Sequence, residues 1–247
     1  MKKIKVGAVS YLNTKPLLYG IERSGELMQQ IELVKDYPSK IARQLLDGDI
    51  DVGLVPVAIL PQLKESYIIS DYCIGAEGDV ASVCLFSDVE LDKIEKVLLD
   101  YQSKTSVALC KVLLKHFWNK CVVLEDAKED FTQQISGTTA GVLIGDRALK
   151  QRKRSKYIYD LAGEWVAHTK LPFVFAAWIS NKQLPNDFLQ LFNQKNGEGV
   201  DNIDAVLHNV DCDFYDMRKY FTQNISYKLS EEKLKGMNLF LELLQQL

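Results

Sequence analysis

The sequence predicts an α/β fold, and three observations carry that prediction. Short apolar runs alternate with longer amphipathic ones through the first two thirds of the chain, the joins between them are short, and helical patterns take over only in the last third. With 47% hydrophobic and 26% charged residues, the 247-residue chain has the composition of a folded protein, which excludes disorder and low-complexity scaffolds. The length suits one large α/β domain or two smaller ones, each able to bury a core.

Taken in order, KIKVGAV (3–9) is a strand candidate, and SYLNT leads from it into KPLLYGIERS, which has helical character. IELVKDY (31–37) reads as a second strand. Pro38 and Ser39 open a helix through KIARQLL, in which Ile41, Leu45 and Leu46 share one face. Asp47-Gly48-Asp49 stops it, and IDVGLVPV is a third, buried strand. The pattern so far is that of a mostly parallel sheet covered by helices. After residue 80 the rhythm returns. VASVCLF (80–86) and KVLLD (96–100) read as strands, and SKTSVALCKVLLKHFW (103–118) as a helix whose apolar positions include Val107, Leu109, Cys110, Leu113, Leu114 and Phe117. CVVLED (121–126), a polar helix near 127–135 and the strand AGVLIGD (140–146) follow. The basic cluster KQRKRSK (150–156) is expected to be a solvated helix end. Helical patterns then cover 185–195, a stretch around 200–209, 213–223 and 230–247. In the last of these Ser230 is the cap, with Glu231 and Glu232 in the first turn. Lys233 stands where a capping box has an acid, and Leu234, Met237, Leu241 and Leu244 form an apolar stripe.

Composition excludes several function classes. Thirty-three acidic against 30 basic residues (net −3) argue against a nucleic-acid partner, because phosphate-binding surfaces need a basic excess. No run of about 18 apolar residues occurs, so no membrane span is expected. MKKIKVGAVSYLN reads as a first strand rather than a signal peptide, which makes the expected location cytoplasmic. Cys73, Cys84, Cys110, Cys121 and Cys212 are an odd number without a CxxC pair and are read as buried reduced thiols. His116, His168 and His208 are too scattered to suggest zinc, and no metal is expected. Gly75 and Gly78 do not form GxGxxG, and neither a phosphate-loop motif nor a GxSxG elbow is present. There is no internal repeat and no Gly/Ser linker.

Chemistry concentrates where a strand meets a helix through a polar turn. Ser10, Tyr11, Asn13 and Thr14 follow the first strand, with Pro16 suited to the first helical turn. Ser103, Thr105 and Ser106, beside Lys104, open the 103–118 helix, and Asp146 follows the strand AGVLIG. In an open α/β sheet ligands bind outside the carboxyl ends of strands, where free helix N–H groups and hydroxyls hold carboxylates or phosphates. A helix cap needs one such group. Two turns crowded with them suggest a ligand with two anionic ends, held between lobes. The acid/base candidates near these turns are few: Asp100, Asp146, Glu164 and His168.

At these same segments the sequence resembles a known family. VSYLNTKPL (9–17), DVGLVPVA (51–58), GDVASV (78–83), LDYQSKTSVALCKVLL (99–114), LIGDRAL (143–149), EWVAHTKLPFVFAAW (164–178) and KYFTQNISYKLSEEKLKG (219–236) are similar, in the same order, to the chorismate dehydratases of the futalosine route to menaquinone. The resemblance implies a two-lobed, periplasmic-binding-protein-like fold of type II, with a ligand cleft between the lobes. On that pattern residues 1–86 plus 181–247 form lobe one and residues 87–180 lobe two, and the cleft shuts on its ligand.

The implied reaction is loss of water from chorismate to give 3-[(1-carboxyvinyl)oxy]benzoate, without a cofactor. Chorismate, a small dicarboxylate, suits two anion-binding turns. By match to the family motifs Asn13 and Ser82 are the catalytic candidates. Ser10, Tyr11, Thr14, Ser103, Thr105, Ser106 and Asp146 are the substrate-binding candidates. As a carboxamide Asn13 is no base, but it can hydrogen-bond a leaving hydroxyl or orient a carboxylate. The expected base is therefore the substrate's own enolpyruvyl carboxylate, with Asp146 as the rival. Lys15 and Lys104 flank the turns, His168 is expected in a partly exposed loop, and Phe173 and Phe175 are expected in the core. Two other readings remain open on the sequence: a cytosolic carboxylate-binding protein of the same fold, and the sister enzyme that makes dihydroxynaphthoate.

Overall fold

A computed structural model describes residues 3–129 and 131–247. Its elements in chain order begin with β1 (Ile4–Val9), α1 (Lys15–Arg23), α2 (Gly25–Gln30), β2 (Ile31–Asp36), α3 (Pro38–Asp47), β3 (Val52–Pro56) and β4 (Tyr67–Ala76). Next come β5 (Val83–Ser87), β6 (Lys96–Leu99), α4 (Lys104–Val112), β7 (Val123–Asp126), β8 (Thr139–Ile144), α5 (Gly145–Gln151), β9 (Tyr157–Asp160) and α6 (Leu161–Thr169). The chain closes with β10 (Phe173–Ser180), α7 (Asn186–Val200), α8 (Ile203–Leu207), α9 (Met217–Lys219), β11 (Ser226–Lys228) and α10 (Glu231–Gln245).

Local chemistry accounts for these boundaries. Pro38 fits the first turn of α3, where its missing N–H costs nothing, and Gly48 ends the helix at φ +77°. Ile41, Ala42 and Leu45 face the core, whereas Leu46, expected on the same face, is exposed. Ser103 caps α4 by accepting from the Ser106 amide, and Ser230 caps α10 by accepting from the Lys233 amide. The 103–118 helix is regular only to Val112 and widens into a π-type turn at Leu113–Phe117. The helix expected near 127–135 is a single tight turn, Phe131–Gln134. Phe131 and Ile135 pack against Gly141 of β8; Asp130 lies outside the described residues.

Among the described residues the strands form two mixed sheets. One runs β11-β4-β10-β3-β1-β2 and the other β7-β6-β8-β5-β9. β1 is parallel to β2 and β3, and β6 is parallel to β7 and β8, as strand–helix–strand units require. Each sheet also contains antiparallel pairs, and in the six-stranded one β11 runs antiparallel to β4. β5 is antiparallel to β8 and β9, and β10 is antiparallel to β3 and β4. The chain therefore changes sheet in the segments 77–82 and 170–172. Both strands differ from the sequence expectation: 83–86, expected in lobe one, pairs in the five-stranded sheet, and 173–180, expected in lobe two, is interior to the six-stranded one. All eight residues of β10 are buried, so neither hydropathy nor alternation reveals which sheet it joins.

Three of the five cysteines (Cys73, Cys84 and Cys110) are buried, Cys121 is exposed, and all five are free. The basic cluster is not wholly solvated, because Arg152 turns inward and donates to the Ala81 carbonyl at 3.2 Å. Lys233 is also buried. Its ammonium donates to the Ser226 carbonyl at 2.9 Å and hydroxyl at 2.6 Å, tying α10 to β11, and burial lowers its pKa.

Candidate active site

A cavity opens where the carboxyl ends of β1, β3, β4 and β8 meet the sheet-changing segment 77–82. One wall is Val9, Tyr11, Asn13 and Thr14 with Pro38 and Pro56, and the other is Ser103, Ser106, Ile144 and Gly145. Val80, Ser82 and Val83 close it at one crossing, and Ile74, Phe175 and Ala176 form its floor. Its cavity volume is about 50 Å³. No Lys, Arg, Asp or Glu is among these lining residues; the polar groups are hydroxyls, a phenol, a carboxamide and backbone.

The first turn is fixed from three directions. The Tyr11 hydroxyl donates to Gln102 Oε1, while its ring lies against Gly145. Gly145 has φ +60°, and a Cβ there would stand 3.1 Å from that ring, so the position favours glycine on both counts. Burial, with Asp100 as a second cause, raises the Tyr11 pKa above the usual phenol range, and Tyr11 stays neutral. Asn13 Oδ1 accepts from Thr14 Oγ1 at 3.2 Å, and the Asn13 carbonyl accepts from Tyr227 at 3.0 Å. Ser10 departs from expectation. Its amide is taken by the Asp36 carbonyl at 3.1 Å, and its exposed side chain borders a separate surface groove with Lys15 and Tyr19.

Ser82 stands at the end of the first crossing, 1% exposed, and its Oγ accepts from the Tyr220 hydroxyl at 2.7 Å. Burial pushes the Tyr220 pKa up, and the polar groups of Ser82 and Asn13 beside it draw it partly back. Ser82 is thus held by a buried phenol that also has the Asn13 carboxamide beside it. Tyr220 lies in the tail segment 219–236, but nothing local marks its role.

On the opposite wall Ser103 Oγ accepts from the Ser106 amide at 3.1 Å and donates to Ser106 Oγ at 2.9 Å. Thr105 does not line the cavity. Its Oγ1 accepts from the Ala58 amide at 3.1 Å, because one residue along a helix is a rotation of about 100° away from its neighbour. Asp146 is outside the lining as well. It accepts from the Leu12 amide at 3.4 Å, and desolvation raises its pKa. Arg147 holds Asp100 at 2.7 Å and Gln102 Oε1 at 2.9 Å. Ser39 in turn donates to the carbonyls of Gln102 and Tyr101, tying the two walls together.

The remaining candidates stand away from the cavity. Lys15 is exposed and donates to the Asn209 carbonyl at 3.2 Å, and Lys104 is exposed. His168 stacks on Phe117 at 4.9 Å, with Glu164 4.0 Å away. Phe173 is core, but Phe175 lines the cavity.

A family model described as menaquinone biosynthesis matches residues 4–246. The chain belongs to this family. Within it, the chain is 26% identical to the chorismate dehydratase of Thermus thermophilus, over 99% of this chain and 96% of the relative. It is 28% identical to that of Campylobacter jejuni, over 96% and 95%. A solved Candida albicans protein, described as exhibiting the generic periplasmic binding protein structural fold, superposes with a TM-score of 0.69. That match has 10% identity and spans 100% of this chain and 91% of the other. The fold of the family member described here is therefore periplasmic-binding-protein-like. Among the described residues no helix is long and apolar enough to cross a membrane.

Proposed function

We propose that the protein is a cytoplasmic, cofactor-independent hydro-lyase of the futalosine route to menaquinone, converting chorismate to 3-[(1-carboxyvinyl)oxy]benzoate and water. The observation that carries this reading is that Asn13 and Ser82, the latter seated on the buried Tyr220 hydroxyl, line one uncharged, hydroxyl-rich cavity. The names of the relatives supply the substrate.

The reaction removes a proton from the ring carbon bearing the enol ether and hydroxide from its neighbour, so electrons balance without an oxidant. Aromatisation drives it, and the protein has to position the substrate and assist the leaving group. The Asn13 carboxamide donates to the departing hydroxyl, and Ser82 orients it. Ser103, Ser106 and the free first-turn N–H groups of α4 hold a carboxylate. No side-chain base lines the cavity, which supports the enolpyruvyl carboxylate of the substrate as the proton acceptor. On this reading Asp146→Asn keeps kcat within about fivefold of wild type, whereas a loss of about 10³-fold would make Asp146 the base.

Incubating purified protein with chorismate and following the aromatic product by absorbance and mass tests the reading. Conversion supports it. Chorismate recovered unchanged would favour a binding protein of the same fold or the dihydroxynaphthoate branch.

A further inference from the structure

The segment that carries Ser82 has an unusual backbone. Ala81 has φ +63°, a region that side-chain-bearing residues seldom adopt, and the Ser82 amide donates back to the Val80 carbonyl at 2.7 Å. A hydrogen bond spanning two residues around a positive φ is a γ-turn of the strained kind. Such a turn persists only where its surroundings impose it.

Here they do so through groups distant in the sequence. Asp160, at the end of β9 and 8% exposed, accepts from the Val80 amide with Oδ1 at 3.0 Å and from the Ala81 amide with Oδ2 at 2.7 Å. From the other side Arg152 and the Cys84 thiol donate to the Ala81 carbonyl at 3.2 and 3.4 Å. The Ser82 carbonyl accepts from the Gly145 amide at 2.8 Å. Each peptide group of the turn is therefore held by another element, and Ser82 has no freedom to swing out of the cavity.

We propose that Asp160 is a positioning residue for the reaction: it clamps Ala81 in the left-handed γ-turn and thereby fixes where the Ser82 hydroxyl points. A carboxylate is suited to this because both of its oxygens only accept, whereas an asparagine presents an N–H₂ to one of the two amides. Burial, and then Asp79, push Asp160 up to about 6, so at neutral pH it is the acceptor-only form. Asp160 also caps α6 by accepting from the Gly163 amide at 3.2 Å. Asparagine serves as a cap equally well, which separates the two roles.

The inference rests on the dehydratase reading, and a double-mutant cycle with chorismate tests it. In the wild-type background Asp160→Asn lowers kcat about 30-fold while KM changes less than about threefold, because a misdirected hydroxyl is felt in the transition state. In an Ala81→Gly background, where a left-handed φ carries no strain, the same change costs less than about threefold. Equal losses in the two backgrounds, or no loss in the first, overturn the proposal. If Asp160→Asn alone fails to fold, the Ala81→Gly background is expected to restore folded protein with kcat within about tenfold of wild type; a double variant that also fails to fold contradicts the clamp. If wild-type protein leaves chorismate unchanged, the dehydratase reading fails on its own. Amide hydrogen exchange then decides the clamp: Asp160→Asn is expected to speed exchange at Val80 and Ala81 at least about tenfold, and unaltered exchange overturns it.

Discussion

The Ser103–Ser106 wall of the cavity and the wall that Ser82 closes at the crossing are built in opposite ways. On one, Ser103 and Ser106 satisfy each other within a single helical turn. On the other, Ser82 is held by Tyr220, 138 residues away in sequence, and by a backbone turn that Asp160 and Arg152 grip from elsewhere. The first wall is a helix cap turned toward the cavity. The second exists only in the folded protein. A cap supplies acceptors and donors for an anion wherever a helix begins, but the group that assists a leaving hydroxyl has to be fixed in direction. On the proposed reading, binding falls to the local wall and chemistry to the long-range one.

Three substitutions sharpen that division. The largest effect is expected at Asn13. Asn13→Ala removes the donor to the leaving hydroxyl and lowers kcat about 10³-fold in steady-state assays, with chorismate binding retained by calorimetry. Tyr220→Phe keeps the ring and removes the hydroxyl that holds Ser82, so kcat falls about tenfold with KM little changed. Thr105→Val sits beside the binding wall but outside the cavity. It orphans the Ala58 amide, and denaturant unfolding is expected to show a loss of about 1–2 kcal/mol with kinetics unaltered. A Thr105→Val protein with a raised KM and normal stability would return Thr105 to the binding wall.

The same contrast explains how much could be read from the sequence. β1, β2, α3, β3, β6, α4 and β8 were legible because their periodicity and caps are local, as were Asn13, Ser103 and Ser106 at strand ends. β4 was not, since Ser70, Asp71 and Tyr72 interrupt its apolar run at the point where α7 and β11 cover it. The sheet membership of β5 and β10 is a tertiary fact that a uniformly apolar strand does not encode. Residues 80–86 read as one strand, but the strand begins at Val83, because Asp160 diverts Val80–Ser82 into the turn. Lys233 looked like a misplaced capping residue, and its burial depends on carbonyls that β11 presents. Ser82 is marked by a family motif, whereas Tyr220 and Asp160 are brought to the site only by the fold.

The most direct test of this account is a comparison of Ser82→Ala with Ser106→Ala, measured as kcat and KM on chorismate under identical conditions. The account predicts that Ser82→Ala lowers kcat about 10²-fold with KM nearly constant, while Ser106→Ala raises KM about fivefold and leaves kcat within about twofold. Equal kcat losses in the two variants, or a Ser82→Ala protein with wild-type kcat, would contradict it.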